Sequence, residues 1–306
     1  KFFVTFLSFI LFGVSGVRKK QSGAILYLFE IFGISFGTGT IMVEQIFNYS
    51  QNRHEQINKS ILVSFLFLSL LSFYFLGDAL SNWSESSLMN PEEVGGYAEG
   101  DILMPPQQSR NGVKEETLRW PNGHIPYVIE GYFNQEQRET IMKAIADYHR
   151  LTCLRFVPYN GQKDYITIQS KNTGCWSSVG KIGGRQEVNL QAPGCVSKKG
   201  TVIHELLHAI GFMHEQSRPE RDDFVRVRYN NIKPAESNFR KADKKNTNDY
   251  NVPYDYNSVM HYSEYAFSKN SQKTIEPKVR VKLGQREGLS RGDVKKVNNM
   301  YNCKKE

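Results

Sequence analysis

The sequence predicts an α+β fold for its globular part, which begins near Trp120 of the 306-residue chain. Three observations support this prediction. Short segments rich in β-branched and aromatic residues surround an amphipathic helix, a second helix is largely apolar, and the half that follows is irregular until a last helix. The composition, 40% apolar and 23% charged, is that of an ordinary globular protein with a sizeable core.

The predicted strands are short, are bounded by turn-forming residues and contain many β-branched and aromatic side chains. They are IPYVIE (125–130), LRFVPY (154–159), YITIQS (165–170) and EVNLQ (187–191). Between the first two strands, residues 134–152 have their apolar side chains at helical spacing. This segment therefore predicts an amphipathic helix.

The second half of the globular part has two predicted helices with a long irregular stretch between them. Residues 196–212 predict a largely buried helix. Residues 213–288 contain many Asn, Pro, Tyr and Ser residues and have no clear periodicity. Residues 289–301 predict a last helix, because Ser290 and Asp293 resemble a capping pair at its start.

The first 80 residues differ from the rest, because three strongly apolar runs in them are interrupted by a charge only at Glu30. The runs are 2–17, 24–43 and 61–77. The third run follows Lys59 and has the pattern of a secretory signal peptide, so residues 59–80 are the predicted signal within an apolar segment 1–80. A membrane anchor is the alternative, since this run is near the minimum length for a spanning helix. Both interpretations predict entry into the secretory route.

The composition changes again after this apolar segment. Residues 81–110 are rich in Ser, Glu, Pro and Gly and have little periodicity, which is typical of a linker or a pro-segment. Globular patterning follows. The sequence therefore predicts three parts: the apolar segment, a pro-segment at 81–110 and a folded domain at 111–306.

The net charge of +8 comes from lysines and arginines that are scattered along the chain. The most compact basic blocks are RKK (18–20) and KADKK (241–245). Scattered cations are typical of a solvated basic surface, so we expect no binding to nucleic acid.

Four cysteines lie beyond the apolar segment: Cys153, Cys175, Cys195 and Cys303. An even number in a chain that enters an oxidising compartment predicts two disulfides, for which three pairings are possible. None of the four belongs to a C-x-x-C pair, so a cysteine zinc site or a redox motif is not expected.

The segment TVIHELLHAIGFMHEQSRPERDDF (201–224) carries the strongest chemical signal. On a helix, His204 and His208 are four residues apart and project from one face, where two imidazoles can bind one metal ion. Glu205 lies beside them. This is the H-E-x-x-H arrangement, in which the histidines bind zinc and the glutamate handles the proton of a water molecule. The alternative for so short a motif is a pair of packed or capping histidines.

Two further features extend the motif and disfavour that alternative. Gly211 follows His208 by three residues and allows the chain to turn sharply, so that His214 can approach the same ion. The complete H-E-x-x-H-x-x-G-x-x-H string is the metzincin signature, which expects a Met-turn downstream. The segment YNSVMHY supplies it, with Met260 and Tyr262.

The strings HELLHAIGFMHEQSRPERD and SVMHY closely resemble the astacin family of zinc endopeptidases, with similarity over residues 111–306. The resemblance implies the metzincin fold, in which a twisted mixed sheet and two long helices form the N-terminal half. The C-terminal half is irregular and has a last helix, and a cleft separates the halves. It also implies one Zn²⁺ per chain, protein or peptide substrates, secretion and a monomer. Because the chain ends three residues after Cys303, we expect a minimal form, of nematode type, without C-terminal modules.

The same resemblance implies roles for individual residues. His204, His208 and His214 would bind zinc, and Glu205 would accept a proton from the metal-activated water and pass it to the leaving amine. Tyr262 would be a fifth zinc ligand that swings away to donate to the oxyanion, and Met260 a hydrophobic base beneath the imidazoles. The implied disulfides are Cys153–Cys303 and Cys175–Cys195.

The segment YAEGDI (97–102) resembles the family's aspartate switch, in which Asp101 would bind zinc in the zymogen only. The family has phenylalanine where this chain has Ala98, and an ordinary turn aspartate is the alternative, because Gly-Asp is a common loop pair.

We expect cleavage near Arg110, because it is the only basic residue between Trp83 and Lys114. The resemblance implies a new N-terminus close to Asn111. The new N-terminus would then fold toward Glu215, a buried carboxylate that would otherwise need a partner.

Two other classes of function compete with a secreted endopeptidase. A catalytically silent binding protein on the same fold would be favoured by an altered glutamate or a missing ligand, but Glu205 and the three histidines are all in place. A membrane-tethered protease differs only in the fate of residues 1–77. Membrane association is expected only if that apolar run is retained.

Overall fold

The computed structural model describes residues 80, 83–84, 86–104, 118–245 and 247–304. Except for Leu80, the predicted signal or anchor lies outside these residues, and so does the predicted cleavage position at Arg110. In the part of the chain that the structure describes, no helix combines the length and the apolar character needed to cross a membrane.

A five-stranded sheet forms the N-terminal half of the folded domain. Its strands are β1 (His124–Ile129), β2 (Arg155–Pro158), β3 (Tyr165–Gln169), β4 (Cys175–Ser177) and β5 (Arg185–Leu190). The spatial order is β2-β1-β3-β5-β4, and every neighbouring pair is parallel except β4 with β5. The prediction of a mixed sheet is confirmed. The sequence did not predict β4, because three residues are too few to show alternation.

Two helices pack against this sheet, α1 (Gln135–Leu151) and α2 (Lys199–Ala209). Helix α1 begins where predicted, because the Asn134 side chain accepts a hydrogen bond from the Gln137 N–H at 2.9 Å. The two helices are joined by Tyr148, whose hydroxyl donates to the Ile203 carbonyl at 2.7 Å. Helix α2 is buried at nearly every position, which fixes the direction of each of its side chains.

The apolar core of this half is mainly aliphatic. It joins the inner face of the sheet to one side of α1 and most of α2, and it includes Ile125, Ile166, Ile168, Val188, Leu206 and Ile210. Each of these side chains is almost completely removed from water. Burial of a side chain of this size stabilises the fold by roughly 1.5–3 kcal/mol, so this core holds α2 firmly in place.

The C-terminal half is irregular, as predicted, and contains few regular elements. Strands β6 (Val225–Val227) and β7 (Ile275–Pro277) form an antiparallel pair that the sequence did not predict. Helix α3 (Arg291–Met300) begins at the predicted Ser290–Asp293 capping pair, with both reciprocal hydrogen bonds at 2.9 Å. A second core, rich in aromatic rings, fills this half.

Two disulfides connect these elements, and they are the predicted pairs. Cys153–Cys303 ties the end of α1 to the segment after α3, and Cys175–Cys195 ties β4 to the loop before α2. In the chain-entropy model, loops of these lengths contribute roughly 5 and roughly 3 kcal/mol of stability, respectively. The described part of the chain contains no free cysteine.

Candidate metal centre

The three histidines of the motif come together as predicted. His204 and His208 project from one face of α2, and their ring centroids are 4.8 Å apart. The helix ends before Gly211, whose φ of +117° turns the chain so that the His214 ring comes within 4.7 Å of the His208 ring. All three side chains are buried. A side chain at position 211 would require an unfavourable φ and would also collide with Met300.

Each histidine has its Nδ1 atom against an acceptor. Nδ1 of His204 lies 2.8 Å from the Val259 carbonyl oxygen, and Nδ1 of His208 lies 2.7 Å from the carbonyl oxygen of Phe212. Nδ1 of His214 lies 2.8 Å from a carboxylate oxygen of Glu99. These contacts place a proton on each Nδ1, so the three Nε2 atoms are available as ligands.

Asp101 faces the three Nε2 atoms. Its Oδ2 atom is 2.9 Å from Nε2 of His204 and 3.2 Å from Nε2 of His214, and its Oδ1 atom is 3.6 Å from Nε2 of His208. One potential ligand atom from each of the four residues lies within 4.8 Å of the others. Three imidazoles and one carboxylate, all buried, are a donor set that zinc prefers, so these residues fit one zinc ion.

The surroundings of His204 and His214 shift the pKa values of these two side chains in opposite directions. Burial, with a contribution from nearby Arg286, lowers the pKa of His204 to about 4, so its ring is neutral as a ligand must be. Burial alone would also lower the pKa of His214, but the carboxylates of Asp101 and Glu99 raise it to about 10. A cation at Nε2 of His214 would replace that proton.

Glu205 lies next to the cluster and is fully buried. Neither of its carboxylate oxygens has a hydrogen-bond partner among the described residues. Burial raises the pKa of Glu205 well above its usual value, and the nearby Asp101 carboxylate adds to the rise. A buried carboxylate without partners destabilises the fold. Beside three convergent imidazoles, however, such a carboxylate can serve as a proton acceptor.

The predicted Met-turn connects the two cores of the domain. Met260 packs in the aliphatic core, whereas Tyr262 packs in the aromatic core. The Tyr262 ring lies 4.7 Å from the His214 ring, and its hydroxyl donates to the Glu99 carbonyl oxygen. The role of Met260 as a hydrophobic base beneath the histidines stays a prediction. The role of Tyr262 as a zinc ligand stays a prediction, because its hydroxyl is held by Glu99 here.

Segment 86–104 is held in the cleft by contacts that the sequence did not predict. Arg286 donates to the Glu92 carboxylate at 2.5 Å, and the Ser263 hydroxyl donates to the Glu93 carboxylate at 2.6 Å. Both carboxylates are buried, and burial together with Glu92 raises the pKa of Glu93. Residues so distant in sequence have no local pattern that links them, and adjacent glutamates before a turn are normally exposed.

Glu215 differs from the expectation in one respect. The expectation that its buried carboxylate lacks a partner until a new N-terminus reaches it is wrong. Lys296 donates to one of its oxygens, while Arg218 and the Asp255 N–H donate to the other at 3.1 and 2.8 Å. Lys296 comes from α3 and Arg218 from the next turn of the chain. The opposite charges keep the pKa of Glu215 low despite its burial.

Comparison with known proteins gives consistent results. Residues 112–302 match the model of the Astacin family of peptidases. The chain is 41% identical over 224 residues to the zinc metalloproteinase nas-4 of Caenorhabditis elegans, covering 69% of this chain and 70% of that protein. It is 44% identical over 214 residues to the astacin-like metalloendopeptidase of Mus musculus, but spans only 48% of that protein.

Among solved structures, the high choriolytic enzyme 1 of Oryzias latipes, a hatching enzyme zinc-protease, has a similar fold. The TM-score is 0.56 and the identity is 39%, over 67% of this chain and all of that one. The similarity covers the folded domain in which the histidine cluster lies.

Proposed function

The chain belongs to the astacin family of zinc metallopeptidases, and we propose that it is a secreted endopeptidase that is made as an inactive zymogen. The observation that carries this proposal is the convergence of three buried histidines, each with Nε2 directed at one point, beside the buried and unpartnered Glu205. A silent binding protein would have no need to keep such a costly carboxylate at this position.

His204, His208 and His214 would hold the zinc ion. The chemistry that zinc supplies when bound is Lewis acidity toward a carbonyl oxygen and a water molecule. Glu205 is the group that would accept a proton, because its carboxylate is buried beside the imidazoles and has no hydrogen-bond partner among the described residues. It can return the proton to the amine of the leaving fragment.

Tyr262 is the candidate for stabilising negative charge on the peptide oxygen. Its hydroxyl is buried and donates to the Glu99 carbonyl oxygen, an acceptor that belongs to segment 86–104. Once that segment leaves, the same hydroxyl is free to donate to a substrate oxygen in the cleft. A buried donor that is already oriented is effective at such a position, because little reorganisation is needed during the reaction.

Segment 86–104 has the features of an inhibitory pro-segment. The Asp101 carboxylate lies against the histidine Nε2 atoms, where a substrate or water would have to bind. Glu92 and Glu93 hold the segment through buried contacts with Arg286 and Ser263, and the Tyr97 ring packs 5.3 Å from that of Trp176. Removal of this segment by cleavage near Arg110 is the proposed activation step.

Secretion is proposed from two features. Two disulfides fit an oxidising compartment, and the apolar runs before residue 80 fit a signal peptide. Tethering to a membrane through those runs is the alternative. Sequencing the N-terminus of the released protein distinguishes the two, because a signal peptide is removed and an anchor is kept.

The experiment that tests the function is a cleavage profile on a peptide library. The chain is assayed intact and after removal of residues 81–110, each with and without a zinc chelator. We expect hydrolysis only by the shortened chain, its loss with the chelator and its return when zinc is added. Chelator-resistant hydrolysis would refute the zinc mechanism, and full activity of the intact chain would refute the zymogen proposal.

A further inference from the structure

The C-terminal end of α2 connects two of the histidines of the metal centre. A helix end leaves its last four carbonyl oxygens without partners inside the helix, and in α2 these belong to residues 207–210. His208 comes from this last turn, and His214 follows after the bend at Gly211. The partners of these four oxygens therefore decide how firmly the two histidines are held relative to each other.

Two of the four carbonyl oxygens are satisfied by the bend itself. The Gly211 N–H donates to the His208 carbonyl at 2.8 Å, and the Phe212 N–H donates to the Leu207 carbonyl at 3.1 Å. This pair of bonds is typical of a helix that ends at a glycine. The Gly180 N–H, in the loop before β5, adds a second bond to the His208 carbonyl at 2.9 Å. The last two carbonyls of the helix end need donors from elsewhere.

Two side chains supply these donors, one from near the start of the folded domain and one from near its end. The indole N–H of Trp120, before β1, donates to the Ala209 carbonyl at 2.9 Å. The hydroxyl of Tyr301, directly after α3, donates to the Ile210 carbonyl at 2.8 Å. The same hydroxyl accepts a hydrogen bond from the Trp120 N–H at 3.4 Å. Trp120 is buried and Tyr301 is partly buried, so water competes little for these bonds.

The bend that these donors hold determines the positions of both histidines. The carbonyl oxygen of Phe212 lies 2.7 Å from Nδ1 of His208 and orients that ring. His214 follows two residues later. A shift of the bend would therefore move the partner of one zinc ligand and the position of another. Zinc–nitrogen distances are confined to a narrow range, so the site tolerates little such movement.

We propose that Trp120 and Tyr301 are positioning residues of the zinc site, which fix the end of α2 and with it the separation of His208 and His214. The proposal rests on the zinc site of the proposed function and adds two residues that are not among its expected ligands. Neither residue belongs to segment 86–104. We therefore expect the same role in the intact chain and after removal of that segment.

A general contribution to the stability of the fold is the alternative role, and Tyr148 provides the matched control for it. Its buried hydroxyl donates to the Ile203 carbonyl of the same helix at 2.7 Å. Ile203 lies within α2, where its carbonyl keeps an acceptor role inside the helix. Tyr148→Phe thus removes the same kind of hydrogen bond from the same helix, but it leaves the donors to the bend in place.

The test is the zinc affinity of the intact chain, measured by competition with a chromophoric chelator of known affinity. We expect Tyr301→Phe and Trp120→Phe each to weaken zinc binding roughly tenfold, at the lower end of the effects of groups that orient ligands. Tyr148→Phe should bind zinc like the original chain. With zinc removed, we expect Tm to fall by about 2–4 °C in Tyr301→Phe and in Tyr148→Phe alike.

Unchanged zinc affinity in Tyr301→Phe overturns the proposal, and so does an equal loss of affinity in Tyr148→Phe. Because Tyr301→Phe keeps the ring, it decides the question even if Trp120→Phe does not fold. An original chain that binds no zinc would refute the proposed function itself, so the two failures are distinguishable.

The visible absorption of bound cobalt provides a second readout, because it reports the geometry of the ligands around the metal. The intact chain is freed of zinc and saturated with Co²⁺. We expect an altered spectrum in Tyr301→Phe and the original spectrum in Tyr148→Phe. The original spectrum in both variants would contradict a positioning role for Tyr301. Neither measurement uses peptide hydrolysis.

Discussion

The two halves of the domain place their functional side chains by different means. In the N-terminal half, α2 packs against both the sheet and α1, and helical spacing alone puts His204 and His208 on one face. In the C-terminal half, regular elements are few, and side-chain hydrogen bonds hold the functional segment. The Tyr262 N–H, for example, donates to the Gln216 side chain at 3.0 Å.

The cores of the two halves differ in the same way. The first is mainly aliphatic, whereas the second is rich in aromatic rings such as Phe239, Tyr254 and Phe267. The Met-turn joins them, because Val259 and Met260 belong to the first core and Tyr262 to the second. The N-terminal half therefore provides a rigid metal-binding face on α2. The functional side chains of the C-terminal half depend instead on a network of side-chain hydrogen bonds for their positions.

The largest expected loss of activity follows substitution of Glu205, on α2 in the N-terminal half. Replacing Glu205 by Gln keeps the shape of the side chain but removes the proposed proton acceptor, so kcat should fall on the order of 10⁴-fold. Peptide hydrolysis by the activated chain measures it, and the metal content is measured alongside. Glu136→Gln, on the exposed first turn of α1, is the matched control. Turnover at the original rate with Glu205→Gln would contradict the mechanism.

The next largest loss of activity is expected for substitution of Tyr262, in the C-terminal half. Tyr262→Phe removes the hydroxyl that is proposed to donate to a developing oxyanion, and loss of one such donor costs on the order of 10²–10³ in kcat. The loss should appear in kcat and not in KM or thermal stability. Tyr256→Phe is the control, since its hydroxyl donates to the Phe224 carbonyl in the same half. If both variants keep the original kcat, Tyr262 has only a structural role.

The third prediction concerns the polar network that holds the Met-turn. The buried Asp293 carboxylate accepts from the Ser258 hydroxyl at 2.6 Å and from the N–H groups of Val259 and Ser290 at 2.9 Å. Asp293→Ala removes a helix cap and leaves these donors unpaired, so the free energy of unfolding should fall by about 3 kcal/mol. Chemical denaturation measures this change. Because the Met-turn is released, kcat should fall as well.

The smallest effect is expected for a conservative substitution in the mainly aliphatic core of the N-terminal half. Ile168, at the centre of β3, is fully buried between β1 and β5. Ile168→Val removes one methylene group and should lower the free energy of unfolding by about 1 kcal/mol. It should leave kcat unchanged, because the helix face is held by many such contacts. Loss of activity in Ile168→Val, together with full activity in Asp293→Ala, would contradict the proposed difference between the two halves.

The sequence predicted most of what depends on local spacing. The histidine face of α2, the turn at Gly211 and the cap at Ser290 all follow from positions within a few residues of each other. Strands β4, β6 and β7 were not predicted, since each has only three residues. Neither were the partners of Glu215 and Glu92, because these pairs are formed by tertiary packing between distant segments.

His208 before the turn at Gly211 and His214 after it should bind the same zinc ion. The most direct test is the zinc content of the purified chain, measured by elemental analysis for the original sequence, His208→Ala, His214→Ala and the exposed control His124→Ala. We expect one zinc per chain in the original sequence and in the control, and loss of tight zinc binding in the other two variants. A full complement of zinc in His208→Ala and His214→Ala, or none in the original chain, would contradict this expectation.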